Sequence, residues 1–182
     1  MTMDEARIQA LYRELLIAIG EDPDREGLRD TPRRAAAFWR DFLTYQPDRI
    51  DTTFRHEPAG EQFVQVNGIS TWSLCEHHLL PIHLLVNIAY LPAGAVLGLS
   101  KLVRVTELAA RRLQIQERIV EQVADELQKI TGTDDVAVVA AGHHLCMSMR
   151  GTRAQGSRTL TRTLRGRFLQ DPRLVSALGA GP

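Results

Sequence analysis

Near the start of the chain Ile8, Leu11, Leu15 and Ile19 recur every three or four residues and stop before Gly20. That spacing predicts an amphipathic helix closed by glycine. Thr31-Pro32 then offers a cap followed by proline at the first helical position, opening a second helix to about Leu43 that packs through Phe38, Trp39 and Phe42. Residues 46–60 carry Pro, Asp and Gly without periodicity and read as a linker. Residues 1–60 are therefore expected to form an N-terminal helical arm and its linker. From there the pattern changes. Apolar and β-branched runs at 63–66, 69–74 and 84–91 predict antiparallel strands. Ser100 can cap a helix beginning at Lys101, and Ile119, Val123, Leu127 and Ile130 mark a longer helix that Gly132 ends. After Asp134-Asp135, extended runs are expected at 136–141, 144–150 and 157–168. The order strands, two helices, strands points to an α+β domain over residues 61–182, its antiparallel sheet carrying the helices on one face.

Composition narrows the function classes. With 182 residues, 44% of them hydrophobic, the chain can bury one substantial core and a terminal extension, but not two large domains. Lys+Arg and Asp+Glu balance at 22 each, so no global field recruits nucleic acid or an anionic membrane, and neither partner is expected. No apolar run reaches 18 residues, and the first four residues lead into a charged helix rather than a signal peptide, which gives a cytoplasmic expectation. In a reducing compartment the two cysteines, Cys75 and Cys146, are expected to be metal-binding or catalytic thiols rather than a disulfide.

Five of the six histidines lie close to those cysteines: His77, His78 and His83 follow Cys75, while His143 and His144 precede Cys146. Cys75 and His78 have Cys-x-x-His spacing, which lets a turn at a strand end aim a thiolate and an imidazole at one ion. Cys146 adds a third donor. Two cysteines and one histidine leave a tetrahedral zinc with a fourth position for water, whereas a closed structural site needs another ligand, which His77 or His144 could supply. If 144–150 is extended, His144, Cys146, Ser148 and Arg150 share one face of the strand. A metal ligand is then flanked by a group suited to proton transfer and by a fixed cation. Ser100, Lys101 and Arg104 read either as a solvated first helical turn or as a phosphate site at a helix N-terminus. Gln116-Glu117 alone reads as helix surface. The arginines after residue 149 lack interleaved aromatics, so an oligomer interface or a triphosphate pocket explains them better than nucleic acid.

Four segments taken together resemble the GTP cyclohydrolase I family: Cys75-Glu76-His77-His78-Leu79-Leu80-Pro81, Gly98-Leu99-Ser100-Lys101-Leu102, Arg112 with Gln114-Ile115-Gln116-Glu117-Arg118, and His144-Leu145-Cys146-Met147 through Arg150-Gly151. Residues 21–28 and 30–34 match the family too. The resemblance implies a tunnelling fold, in which an antiparallel sheet with two packed helices assembles into pentameric barrels and two pentamers stack into a homodecamer. It implies GTP as substrate, opened at C8 with loss of formate and reclosed as 7,8-dihydroneopterin triphosphate. Cys75, His78 and Cys146 become zinc ligands, and His77, His144 and Ser100 catalytic groups. Glu117 would hold the guanine edge, with Gln116, Leu99 and Ser100 alongside, while Lys101, Arg104, Arg150 and Arg34 would bind the triphosphate. The chain departs from the family at Leu84-Leu85, where many members carry Gly-Lys, at Ala141, where an acidic residue is common, and at Arg162. These positions bear on subunit packing and pocket shape. The main alternative is a related tunnelling-fold enzyme acting on a different purine or pterin, and the second is a non-catalytic zinc-stabilised binding module.

Overall fold

A computed structural model describes residues 3–178 of the chain, in two units, Met1–Tyr45 and Gln46–Pro182. In the first unit, α1 (Glu5–Ala18) starts where the Asp4 carboxylate accepts from the Arg7 N–H at 2.9 Å and ends just before Gly20, at φ +88°. Helix α2 (Thr31–Leu43) follows Asp30, so Thr31 lies inside the helix instead of capping it, and Pro32 sits in the first turn, where its missing N–H costs nothing. The two helices join through Trp39 Nε1, which donates to the Tyr12 hydroxyl at 2.7 Å, and through an Arg40–Glu5 pair at 3.0 Å.

The second unit contains strands β1 (Thr53–Arg55), β2 (Val64–Cys75), β3 (Pro81–Tyr90), β4 (Ala95–Leu97), β5 (Leu113–Gln114), β6 (Val136–His144) and β7 (Thr159–Leu164). Five of them form a sheet in the order β5-β2-β3-β6-β7, antiparallel except where β5 joins β2. The runs at 63–66 and 69–74 are one strand with an irregularity between them. There Gly68 takes φ +71° and donates its N–H to Asn87 Oδ1 at 2.8 Å. Residues 46–60 are not purely a linker, because β1 lies within them and pairs with β4; three residues are too few to show a period.

Helices α3 (Leu99–Ala110) and α4 (Gln116–Thr131) cover one face of the sheet, and Gly132 ends α4 at φ +70°, a conformation that suits glycine. Helix α3 begins two residues earlier than expected, with Gly98 as its cap and Ser100 inside its first turn. Between sheet and helices lie Ile82, Leu84, Val86, Ile88 and Tyr90 of β3, Val138 and Ala140 of β6, and Ile119, Val123 and Leu127 of α4. Each large aliphatic chain buried there contributes roughly 1.5–3 kcal/mol. Leu84, a departure from the family pattern, is fully buried in this core. The segment at 144–150 is not a strand: after His144 the chain turns into α5 (Leu145–Ser148), closed by a Met149 N–H bond to Leu145 O at 3.0 Å. The run at 157–168 likewise ends early, and α6 (Arg167–Gln170) and α7 (Pro172–Ala177) fold against the other face, where Phe168, Leu174 and Leu178 meet Ala89, Leu91, Ala137 and Val139. The helices of this unit are therefore divided between the two faces, α3 and α4 on one and α6 and α7 on the other.

The register fixes what meets at each end of the sheet. Strands β2 and β6 flank β3 and both run antiparallel to it, so the C-terminal ends of β2 and β6 lie beside the start of β3. Strand β5 pairs with β2 at Cys75, which brings the start of α4 to the same end. Tyr90 marks the far end, roughly 30 Å away at about 3.3 Å per residue, and its hydroxyl accepts from Leu97 N–H just before α3. Among the described residues no helix is long and apolar enough to cross a membrane.

Candidate metal centre and active site

At the end of β2 the chain reverses within residues 75–80. Cys75 O accepts from the N–H groups of His78 and Leu79 at 3.2 and 2.8 Å, and Cys75 N–H donates to Leu80 O at 2.9 Å. Leu79 closes the turn at φ +56°, a left-handed conformation that costs a bulky residue about 1–2 kcal/mol. That conformation folds His78 back over the strand end. Its Nδ1 lies 3.5 Å from Cys75 Sγ, and the Nδ1 of exposed His77 lies 3.9 Å from the same sulfur. Cys146 comes from the single turn of α5, in which Ser148 Oγ donates to His144 O at 3.3 Å. The donor atoms of Cys75, His78 and Cys146 all lie within 4.8 Å of one another, close enough to share one metal ion. Burial pushes the Cys146 thiol up, the hydrogen bond with Cys75 adds to this, and the charge of Arg150 opposes it. A cation between the sulfurs would remove that penalty.

The face-sharing expected of His144, Cys146, Ser148 and Arg150 does not occur, because these residues span a strand end and a helical turn. His144 closes β6, opposite Ile82, and its Nε2 lies 2.8 Å from Gln116 Oε1. Burial pushes the His144 pKa below the usual imidazole value; the charge of Glu117 pulls it back up, and His143 lowers it further. Gln116 is buried at 1% exposure, its Nε2 donating to Ala140 O at 3.0 Å, Thr159 O at 2.9 Å and Thr161 Oγ1 at 3.0 Å. Glu117, the next residue, is exposed in the first turn of α4.

A clamp that sequence reasoning missed joins the ligand turn to α4. Arg118 donates to both carboxylate oxygens of Glu76, at 2.7 and 3.3 Å, and also to Gln114 Oε1 at 3.1 Å. Its guanidinium holds the Glu76 carboxyl below the usual carboxylate range. The visible hint was a carboxylate between Cys75 and His77. His83 and His143 stay out of the donor group: they pair in register, and His83 Nε2 lies 2.9 Å from Ser70 Oγ beside Trp72.

Of the remaining candidates in the second unit, Arg150 alone shares the metal-group end of the sheet. Leu99, Ser100, Lys101 and Arg104 occupy the first turns of α3, at the far end of the sheet from Cys75. Leu99 and Ser100 are exposed, and Arg104 Nη1 donates to Arg49 O at 2.9 Å. Arg150 is exposed just beyond α5, at the metal-group end. Arg34 lies on α2, exposed and 3.5 Å from Asp30.

Residues 8–179 match the family model described as GTP cyclohydrolase I. The chain is 48% identical over 174 residues to the GTP cyclohydrolase 1 of Hyperthermus butylicus, covering 96% of this chain and 89% of the relative. It is 42% identical over 190 residues to that of Clostridium botulinum, covering 98% and 97%, and 47% identical over 172 residues to that of Alkalilimnicola ehrlichii, covering 92% of each. With the family model matched almost from end to end and relatives this similar over most of their length, the chain belongs to the GTP cyclohydrolase I family.

Proposed function

We infer that the protein is a zinc-dependent GTP cyclohydrolase I, which hydrolyses GTP at C8, releases formate and rearranges the remainder to 7,8-dihydroneopterin triphosphate. The observation that carries this reading is the convergence of Cys75, His78 and Cys146 beside His144, in a chain of that family. Zn–S bonds of about 2.3 Å and Zn–N bonds of about 2.0 Å at tetrahedral angles put sulfur and nitrogen roughly 3.5 Å apart. Cys75 Sγ and His78 Nδ1 already stand at 3.5 Å. Three protein donors suit a catalytic ion with an open position, and zinc bound there would lower the pKa of a water ligand toward neutrality.

The chain's own groups supply the rest. His144 gives a proton to the purine N7, which makes C8 electrophilic. His77, exposed beside the ligand turn, assists proton transfers as the ring opens. Glu117 accepts from the guanine N1–H and 2-amino group, so a base without that amino group leaves the carboxylate short of a donor and binds poorly. The backbone at Leu99 and Ser100 borders the guanine, and the Ser100 hydroxyl serves the sugar. Lys101, Arg104 and Arg150 bind the triphosphate, and Arg34, exposed on α2, is the further phosphate ligand that the family resemblance assigns.

Within one chain the start of α3 and the metal group stand at opposite ends of β3, so the reading requires an active site shared between subunits. The sheet has β5 and β7 at its edges, where pairing with neighbouring copies continues it. This supports a tunnelling fold closed into pentamers, two of which stack as a decamer. The test is zinc content together with formate released from GTP. The parent enzyme is expected to hold one zinc per chain and to release formate. His144→Ala keeps the zinc and loses turnover, whereas Cys146→Ala loses both. Zinc and turnover both retained in Cys146→Ala would overturn the assignment.

A further inference from the structure

Gln116 is a buried polar side chain bonded to His144 beside the metal group, and its position is over-determined. Three atoms surround its Nε2 at 2.9–3.0 Å, and two of them, Ala140 O and Thr159 O, are backbone carbonyls. Carbonyls only accept, so the carboxamide atom facing them is the NH2 group, whichever way the amide is first drawn. The other end, Oε1, therefore faces His144 Nε2 at 2.8 Å, and a carboxamide oxygen can only accept. It follows that Nε2 of His144 carries a hydrogen and donates it to Gln116. Nδ1 has no protein partner among the described residues.

Gly142 makes the arrangement possible. A Cβ at that position would lie 1.9 Å from Gln116 Oε1, so the carboxamide rests on the bare backbone of β6 between two ladder neighbours. The amide could not turn over without setting oxygen against two carbonyls, each a buried mismatch.

We propose that Gln116 is a positioning residue that holds His144 by its Nε2–H and leaves Nδ1 as the ring atom that gives and takes the proton in the reaction. This rests on the reading of His144 as the proton donor to the purine. In that step the Nδ1–H bond breaks, an N–H bond forms at the purine N7, and the ring remains as the neutral Nε2–H tautomer. The proton on Nε2 never leaves. Gln116 thus acts through His144 and does not touch the guanine, although it neighbours Glu117, which does.

Two measurements test this on the assembled, zinc-loaded enzyme. In the unaltered protein, labelled with 15N-histidine and held in alkaline buffer so that one ring proton remains, the two nitrogen signals of His144 are identified by their disappearance in His144→Asn. A protonated Nε2 and a bare Nδ1 support the proposal, and the reverse overturns it. The second measurement is steady-state kinetics of Gln116→Met, which fills a similar volume without accepting or donating. The expected result is kcat lower by about 10- to 100-fold, as for loss of a group that orients another. KM for GTP should stay within about twofold and zinc content unchanged. A raised KM with parental kcat would place Gln116 on the substrate and overturn the proposal. If instead His144→Ala keeps parental turnover, the catalytic reading of His144 fails, and the nitrogen signals still report the tautomer independently.

Discussion

A single methyl group added at Gly142 gives the sharpest test of how the interior of the site is built. Gly142 does not sit in the left-handed region, so alanine there meets no backbone strain and any cost is steric. The new Cβ would stand 1.9 Å from Gln116 Oε1, 2.9 Å from Gln116 Cδ and 3.0 Å from Leu84 Cδ2. In most glycine substitutions the end of a flexible side chain simply moves aside. Gln116 has nowhere to go, because it is 1% exposed and its carboxamide is bonded at both ends. Displacing it leaves one or two buried polar groups without partners at roughly 1–3 kcal/mol each, about 1–6 kcal/mol in all with a middle value of about 3–4 kcal/mol. For a chain of this size 1 kcal/mol moves the melting temperature by about 2–4 °C, so a drop on the order of 5–15 °C is expected. The control is Gly132→Ala, where φ is +70° and nothing lies within 4 Å of the added atom. Its cost is conformational alone, about 1–2 kcal/mol. Both variants should be melted at equal zinc occupancy and equal protein concentration, since metal and assembly shift apparent stability by mass action. Gly142→Ala should also lose turnover while Gly132→Ala keeps it. A Gly142→Ala protein that melts no lower than Gly132→Ala and turns over GTP at the parental rate would refute the reasoning.

Three further outcomes are expected. Tyr90→Phe removes the buried acceptor of Leu97 N–H, 2.7 Å away, at a cost of about 1–3 kcal/mol; because Leu97 leads into α3, KM for GTP should rise with zinc content unchanged, and an unaltered KM would break that link. Asp171 caps α7 and is held down to about 2 by the Arg173 guanidinium and backbone N–H, so its contribution is complete above its ordinary value of 3.8 and disappears as pH falls through about 2. The difference in urea midpoint between the parent and Asp171→Asn should therefore be largest near pH 6 and shrink below 3.8; a gap constant down to pH 2 would contradict the cap. Chelation of the zinc proposed at Cys75, His78 and Cys146 should lower the melting temperature, by the equivalent of about 2.7 kcal/mol relative to a solution holding free zinc at 100 times its Kd. Melting that ignores chelator would remove the metal from the fold's energetics.

What could be read from the sequence was whatever depends on short spacing. Ile119, Val123 and Leu127 with Gly132 defined α4, because a helix repeats over four turns and glycine alone takes the left-handed close cheaply. Cys75 and His78 could be paired in advance, since a strand end and a turn four residues long bring them together with little help from the rest of the chain. Residues 144–150 misled for a related reason. Alternation of His144, Cys146, Ser148 and Arg150 suits a strand, but four residues also make one helical turn, and the decision came from bonds such as Ala154 N–H to Met147 O beyond the segment. Gln116 was invisible in another way: a Gln-Glu pair opening a helix looks like surface. Only the placement of β6 and β7 against α4, with a glycine at 142, shows that the first of the two is interior and the second is not.

The division of the candidate residues between the two ends of the sheet has a physical origin. Strand β3 is the central element, and its length separates the turn at Pro81 from the hydroxyl of Tyr90 by roughly 30 Å. Every residue proposed to handle protons or metal is attached to the Pro81 end: the close of β2, the close of β6 and the start of α4. The first turn of α3, with Lys101 and an exposed helix N-terminus suited to phosphate, is tied to the Tyr90 end through Leu97. No side-chain rearrangement spans that distance, and bending the sheet would break the buried ladder between β3 and its neighbours. A GTP molecule that must touch both sets of groups therefore needs them from different copies of the chain. The proposed function thus sets Glu117 and Lys101 on opposite sides of a subunit boundary, and it predicts that mixing two inactive variants, Glu117→Ala and Lys101→Ala, restores part of the activity that neither has alone.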